Sequence, residues 1–182
     1  MLDKYIKNEN LRSLAEWVVA AGLAFLVYLF LSNFVYATAE VSGPSMNPTL
    51  HHGDRVIINK LIYIFGEPKK GDIIAFPYPA NPMDKHVKRI IGSPGDLVEV
   101  RDNKFYINGE MLADEPSVEE LVTIGDVTYP ISVGEDEYFV LGDNRNNSKD
   151  SRSSSVGLVQ RENIIGKIWI RFFPLDVVCF VK

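Results

Sequence analysis

One part of the chain places two potential bases at a spacing suited to serine hydrolysis. A serine hydroxyl becomes a nucleophile when a base takes its proton, and histidine and lysine are the bases to consider in this chain. His86 and Lys88 are two residues apart at the start of a strand-like run, residues 87–91, so in a strand they would share one face. Arg89 would face the other way, and a guanidinium does not give up its proton.

A lysine base requires a pKa far below its ordinary value. It must lose about 2 to 3 units from ~10.4 to accept a proton near neutral pH, which calls for apolar neighbours that exclude water. Val87, Ile90 and Ile91 would be such neighbours of Lys88. The chain contains eleven lysines, however, and this argument alone neither selects one of them nor decides between lysine and histidine.

Other chemistries find no support in the residue patterns. The histidines His51, His52 and His86 lack a spacing that would gather them around a metal ion. No phosphate-binding or dinucleotide-binding glycine pattern follows a strand. Residues 43–47 approach the hydrolase G-x-S-x-G elbow but lack its last glycine. We therefore expect neither a metal ion nor a cofactor.

The single cysteine limits the covalent chemistry further. Cys179 has no partner for an internal disulfide or for a cysteine-rich zinc site. It lies in an apolar run, residues 177–181, which predicts a buried side chain that behaves as a small hydrophobic residue.

The N-terminal region predicts a membrane anchor. No charged residue occurs from residue 17 to residue 39. These 23 residues, at a rise of ~1.5 Å each, form a helix of roughly 35 Å, enough to cross a hydrocarbon layer of ~30 Å. The alternatives are a cleavable secretory signal that ends at the small-x-small site of residues 37–39 and a buried helix of a soluble protein.

The charges that flank the anchor predict its orientation. Lys4, Lys7 and Arg12 precede it, whereas the twenty residues after it contain a single cation, Arg55. By the positive-inside rule, residues 1–16 form a cytoplasmic tail, residues 17–39 the anchor and residues 40–182 an extracytoplasmic domain.

The remainder of the chain predicts β-structure. Short runs of branched and aromatic residues alternate with turn signals, as in all-β sandwiches and barrels. The predicted strands are residues 55–65, 72–78, 87–91, 137–141, 164–173 and 177–181, with a hairpin formed by 97–100 and 104–107. Residues 97–134 are expected to form an inserted β-ribbon or small subdomain, and Ser117 with Glu120 fits a capping box for one helical turn. The polar loop at residues 142–157 is longer than most connections.

Four segments resemble, in order and spacing, the sequence boxes of bacterial type I signal peptidases. They are residues 45–50 (SMNPTL), 53–56 (GDRV), 88–96 (KRIIGSPGD) and 142–152 (GDNRNNSKDSR). Together with the anchor, the resemblance covers nearly the whole chain, and the single anchor is similar to that of the Gram-positive members. It implies a mainly β fold: an antiparallel, barrel-like catalytic domain with a Ser/Lys dyad, preceded by one N-terminal transmembrane helix.

The resemblance also implies roles for individual residues. Ser45 would be the nucleophile, and Lys88 the general base that later returns the proton to the leaving amine. Ser148 matches a serine whose hydroxyl helps to hold the lysine amine. Four further residues of the polar loop match positions that brace the site or lie just behind it: Asn144, Arg145, Asp150 and Arg152.

The oxyanion hole departs from part of the family. Gram-negative members often carry a serine two positions before the nucleophile, where this chain has Gly43. Pro44 has no N–H to donate. The backbone N–H of Ser45 is then the one donor that can be assigned, and a second donor is not identified.

The resemblance implies substrates with small residues at positions −1 and −3, as in Ala-x-Ala. Shallow apolar pockets would accept them, and the residues that match by position are Val41, Met46, Leu50 and Val87. The expected partners are exported preproteins and the lipid bilayer. A net charge of −5 argues against a nucleic acid partner.

Two other functions remain compatible with the residues. A membrane-tethered Ser/Lys autoprotease would share the dyad and the β architecture. A non-catalytic, membrane-anchored β-domain would only bind exported chains.

Overall fold

The computed structural model describes residues 9–112 and 123–181, and the chain divides between Tyr36 and Ala37 into two compact units. The first unit contains helix α1, Glu9–Phe30, which continues in a π-helical turn, Leu31–Val35. By length and composition, residues 11–35 are apolar enough to cross a membrane. Lys4 and Lys7 of the predicted tail and the predicted capping box at Ser117 and Glu120 lie outside the described residues.

The helical segment ends before the uncharged run does. Strand β1, Tyr36–Glu40, takes up the last residues of that run. Its side chains alternate in exposure as far as Glu40, and Ala37 and Ala39 pack against a core cluster of the second unit. Period-two alternation of small, half-buried side chains with more exposed ones favours a strand over a further helical turn.

The second unit is built on a sheet of eight strands. Its order is β1-β2-β11-β3-β4-β9-β10, with β12 paired to β11. Apart from β1, its strands are β2 Arg55–Asn59, β3 Ile73–Tyr78, β4 Asn81–Gly92, β9 Glu137–Leu141, β10 Val159–Gln160, β11 Gly166–Phe173 and β12 Cys179–Phe180.

A separate four-stranded sheet has the order β7-β6-β5-β8. Its strands are β5 Leu97–Arg101, β6 Lys104–Ile107, β7 Glu110–Met111 and β8 Ile131–Ser132. The predicted hairpin joins β5 to β6, with Arg101 opposite Lys104. Asp102 and Asn103 both have positive φ, 50° and 57°, as the tight two-residue turn of a twisted hairpin requires. The prediction of mainly antiparallel β-structure after one apolar helix is thus confirmed.

Core side chains lie on both faces of the large sheet at β3. Ile74 and Phe76 belong to one buried cluster, whereas Ile73 and Ala75 belong to another. A strand buried on both faces reads in the sequence as a continuous apolar run, as β3 does. The second cluster also contains Met46 and Leu50, so it supports the turn that carries Ser45.

The strands predicted at 164–173 and 177–181 are shorter in the structure, Gly166–Phe173 and Cys179–Phe180, and two other strand predictions differ more in their bounds or length. The predicted strand 55–65 stops at Asn59, because the Asn59 side chain accepts hydrogen bonds from the backbone N–H groups of Leu61 and Ile62 (3.0 and 3.2 Å) and starts a 3₁₀ turn. The strand predicted at residues 87–91 is longer in the structure. Strand β4 begins at Asn81 and ends at Gly92, which is twelve residues.

The prediction that Cys179 is buried is wrong. Cys179 is exposed. Strand β12 has two residues and pairs with β11 alone, away from the main path of the sheet. Phe180 is likewise 65% exposed, and of the apolar run at residues 177–181 Val181 packs against a core cluster.

Candidate active site

Ser45 lies in a tight turn whose apolar residues pack into the hydrophobic core. Asn47 donates to the Pro44 carbonyl and Leu50 to the Met46 carbonyl (3.0 and 2.9 Å). Met46 and Leu50 are 1% and 0% exposed. The turn is therefore fixed by buried side chains on one side, while Ser45 lines an open cleft on the other.

Lys88 reaches Ser45 from strand β4. Its Nζ lies 2.9 Å from Ser45 Oγ and also donates to the Val87 carbonyl at 2.9 Å. The residue is 3% exposed. Burial lowers the pKa of Lys88 from 10.5 to about 8, against the opposing effect of the carboxylates of Asp150 and Asp143. An amine of this kind accepts a proton in the neutral to mildly alkaline range.

The other potential base, His86, has a different environment. Its ring stacks on Tyr78, with centroids 4.6 Å apart. Burial, followed by the charge of Lys88, lowers the pKa of His86 to about 4. Its buried Nδ1 has no hydrogen-bond partner within the described ranges. The geometry thus pairs Lys88 with Ser45, a choice that the residue spacing left open and that the resemblance implied.

Asp150 and Arg152 organise the polar loop. Two guanidinium nitrogens of Arg152 donate to the two oxygens of Asp150 (2.8 and 2.9 Å). Arg152 also donates to the carbonyls of Thr123 and Arg145. Asp150 accepts a further hydrogen bond from the Gly142 N–H (2.9 Å). Both residues are buried, so the pair fixes the backbone of the loop from inside.

The other predicted loop residues also lie at the site. The Asn144 N–H donates to the Ser45 carbonyl (3.1 Å), which ties the loop to the nucleophile turn, and Arg145 is buried. Ser148 is packed against the same region, but its buried Oγ has no hydrogen-bond partner in the part of the chain that the structure describes. The hydrogen bond from Ser148 to the lysine amine that the resemblance implies is therefore not formed in this structure.

The sequence analysis assigned no role to a second buried ion pair at the site. Arg89 donates to both oxygens of Asp143 at 2.8 Å, and the Thr49 hydroxyl donates to the same carboxylate at 2.6 Å. These contacts connect β4, the polar loop and the nucleophile turn. All three residues lie inside the segments that resemble the signal peptidase boxes, a signal that could have identified them.

The cleft beside the dyad has a volume of about 190 Å³. Of the predicted pocket residues, Val41, Met46 and Val87 line it. Leu50 does not, and its prediction needs correction: the side chain is fully buried in the core cluster, where it closes the turn behind Ser45. Residues that the sequence analysis did not select also contribute to the lining: Ala39, Ser42, Ile58 and Ala75.

The amide of Ser45 is available for an oxyanion. It donates to no acceptor within the described ranges. The neighbouring amide of Gly43, in contrast, donates to His52 Nδ1 at 3.2 Å. Gly43 has φ +85°, a conformation that L-residues rarely adopt, so a serine at this position would be strained.

Comparison with known proteins identifies the family. The family described as "Signal peptidase, peptidase S26" matches residues 14–173. The chain belongs to the signal peptidase family, peptidase S26. The family predicted from the sequence boxes is thereby confirmed, and the chain is a serine endopeptidase of signal peptide processing.

Named signal peptidases match most of this chain. Signal peptidase I S of Bacillus subtilis (strain 168) is 38% identical over 94% of this chain and 97% of its own length. Signal peptidase IB of Staphylococcus aureus (strain Mu50 / ATCC 700699) is 35% identical over 91% and 92%. A solved signal peptidase I of Enterococcus faecalis V583 is 37% identical, with 57% of this chain and 97% of that chain covered and a TM-score of 0.48.

Residue 142 of this signal peptidase must be a glycine, because Ser148 and the Ser45 backbone lie too close for a Cβ atom. A Cβ at residue 142 would collide with the Ser148 side chain and lie 2.5 Å from the Ser45 carbonyl oxygen. Gly142→Ala is therefore expected to displace the nucleophile turn and reduce kcat/KM by about 10²-fold, since a shift of about 1 Å at a reacting group has that effect. Steady-state cleavage of a signal-peptide substrate measures it. Gly22→Ala, in helix α1, where a Cβ meets nothing within 4 Å, provides the control, and equal activity of the two variants would contradict the prediction.

Proposed function

We propose that the chain is a membrane-bound signal peptidase that cleaves exported preproteins after Ala-x-Ala sites with a Ser45–Lys88 dyad. Lys88 takes the Ser45 proton as Oγ attacks the scissile carbonyl, and the Ser45 amide stabilises the oxyanion. Lys88 then gives that proton to the departing amine, which leaves an acyl ester on Ser45. A water molecule, deprotonated by the same amine, hydrolyses the ester and restores Ser45.

One observation carries this proposal. The Nζ of a buried lysine lies 2.9 Å from the hydroxyl of a serine that opens onto a cleft. Both conditions for catalysis by a neutral amine are therefore met: a contact within hydrogen-bond reach and an environment that disfavours the ammonium form.

The lining of the cleft supports a preference for substrates with small side chains beside the scissile bond. Its apolar lining combines small residues with buried larger ones: Ala39, Val41, Met46, Ile58, Ala75 and Val87. Two alanines, Ala39 and Ala75, take part in this lining, and a shallow apolar lining favours small apolar side chains of a substrate. Ala-x-Ala sites satisfy this requirement.

The proposed membrane arrangement is an N-terminal anchor with the catalytic unit on the extracytoplasmic side. It is supported by the apolar helical segment at residues 11–35 and by the basic residues before residue 17. Protease added to right-side-out vesicles should then digest the catalytic unit. Digestion in inside-out vesicles alone would reverse the orientation.

A cleavage assay in trans tests the proposed function. Purified wild-type protein is expected to cut a preprotein that carries an Ala-x-Ala site, and Ser45→Ala is expected to leave it intact. Cleavage of the chain itself without cleavage of the preprotein would favour the autoprotease. Binding of the preprotein without any cleavage would favour the non-catalytic β-domain.

The pH dependence follows from the lysine. Below its pKa of about 8 Lys88 is protonated and cannot accept the serine proton, so kcat/KM is expected to rise about tenfold per pH unit between pH 6 and 7 and to level off above about 8. Steady-state rates across this range, at concentrations far below KM, measure the profile. A rate that stays constant from pH 6 to 10 while chemistry limits turnover would contradict a neutral-amine base.

A further inference from the structure

Two exposed lysines besides Lys88 line the cleft. Lys85 precedes the base on strand β4, and Lys149 comes from the polar loop. Neither forms a salt bridge with a carboxylate within the described ranges. Both ammonium groups thus stand at the edge of the cleft without a salt bridge in the described part of the chain.

A cation–π contact restrains the Lys149 side chain. Its Nζ lies 5.0 Å from the centre of the Tyr78 ring, within the range of a cation–π contact. The Tyr78 ring in turn stacks on His86, and the Tyr78 hydroxyl lies 3.4 Å from Ser155 Oγ. The Lys149 ammonium group is therefore held against the Tyr78 ring beside the cleft.

The carboxylates around the cleft already have other partners. Glu40, the acidic residue of the lining, lies 3.6 Å from Arg55. Asp84 accepts a hydrogen bond from Asn81, and Asp150 is buried against Arg152. The lining itself contains Lys85 and Lys149, besides Lys88, against the single carboxylate of Glu40, so it has an excess of basic residues although the chain as a whole has a net charge of −5. Such a local field attracts anionic groups of a ligand.

On the basis of the proposed function, we infer that Lys85 and Lys149 form a subsite for an acidic residue of the substrate, within two positions of the scissile bond. A substrate carboxylate in this cleft would lie in the field of two lysines that line it and form no salt bridge in the described chain. Exposed charge pairs contribute little each, so the effect is a preference among substrates rather than a requirement.

A positional peptide series tests the subsite. Each peptide carries one Ala-x-Ala site and either Asp or Asn at position −2, +1 or +2, and the measured quantity is the Asp/Asn ratio of kcat/KM for the full-length protein in detergent. At one position or more, the ratio is expected to reach about two to five at low ionic strength and to approach one in about 0.5 M salt.

Charge-removing variants assign the preference to the two lysines. Lys85→Met and Lys149→Met are each expected to lower the ratio, and Lys149→Glu is expected to favour a lysine peptide over the aspartate peptide at the same position. Lys104→Met is the matched control, because Lys104 is an exposed lysine of the other sheet, and its ratio should equal that of the wild type.

The outcomes separate this inference from the proposed function. If wild-type protein cleaves the Asn peptides but shows a ratio of one at all three positions, the subsite is refuted and the peptidase stands. If Lys104→Met lowers the ratio as much as the cleft variants do, a general charge effect replaces the subsite. If wild-type protein cleaves none of the peptides, the proposed function itself fails.

Discussion

Replacing Lys88 by methionine is expected to reduce cleavage by at least about 10³-fold, the order of loss seen when a general base is removed from a serine protease. Methionine fills a similar volume but cannot accept the Ser45 proton. Cleavage of an Ala-x-Ala preprotein under single-turnover conditions measures the loss. His86→Ala is the companion variant, because His86 lies on the same strand and is the alternative base. Activity retained in Lys88→Met and lost in His86→Ala would transfer the role of base to the histidine.

The same Lys88 variant is expected to stabilise the fold at pH 7. The native pKa of about 8 lies below the ordinary value of 10.5, so the native state binds the lysine proton less tightly than the unfolded state does. At pH 7 both states are protonated, and the native state carries the full penalty, about 3 kcal/mol. Loss of the hydrogen bonds to Ser45 and Val87 offsets part of the gain, which leaves a net increase of about 1–3 kcal/mol.

The sign of the pH dependence provides an independent check of this stabilisation. Between pH 8 and 10.5 the unfolded state holds the Lys88 proton and the native state does not, so the stability of the wild type rises with pH in this interval relative to Lys88→Met. Urea unfolding in detergent, followed by the fluorescence of Trp169, measures both proteins. A difference in free energy of unfolding that stays constant from pH 7 to 10.5 would show that the amine is not desolvated.

The sequence predicted the dyad because its two residues lie in distinctive short segments. It also placed Lys88 on a strand and next to apolar neighbours, as observed, although at the start of the predicted run rather than inside a longer strand. Without the resemblance, the residue spacing did not decide which base meets Ser45, because the contact joins residues 43 positions apart. The link between Arg89 and Asp143 spans 54 positions and escaped the analysis for the same reason.

Apolar side chains were the weakest basis for prediction. Met46 and Leu50 both follow Ser45 in one turn, yet Met46 lines the cleft and Leu50 closes the core. Hydrophobicity alone does not distinguish these environments, since both bury apolar surface. Cys179 shows the opposite error. Its apolar surroundings in the sequence predicted burial, but the residue lies in a two-residue strand and is exposed. In each case the outcome depends on which elements pack nearby, which local sequence does not encode.

The folded conformation of the polar loop, residues 142–157, is expected to depend on the guanidinium group of Arg152. Arg152→Met removes the hydrogen bonds to Asp150 and to the carbonyls of Thr123 and Arg145. It leaves the fully buried carboxylate of Asp150 without its ion-pair partner, which costs about 3–5 kcal/mol in comparable buried pairs. Urea unfolding should show a loss of this size. Arg101→Met, in which the lost pair with Glu99 is exposed, is the control and should change stability by less than about 1 kcal/mol.

A double variant separates the buried charge from general damage to the loop. In Asp150→Asn with Arg152→Met, the amide oxygen can still accept the hydrogen bond from the Gly142 N–H, and no charge is left buried. The double variant should therefore be more stable than Arg152→Met alone, although it carries one more substitution. Strictly additive losses would mean that Arg152 acts through its packing and its contacts with loop carbonyls, and that its pairing with Asp150 contributes little. Because Asp150 also positions the Gly142 backbone beside Ser148 and Ser45, recovery of stability without recovery of cleavage would show that the aspartate charge serves the geometry of the site rather than the stability of the fold.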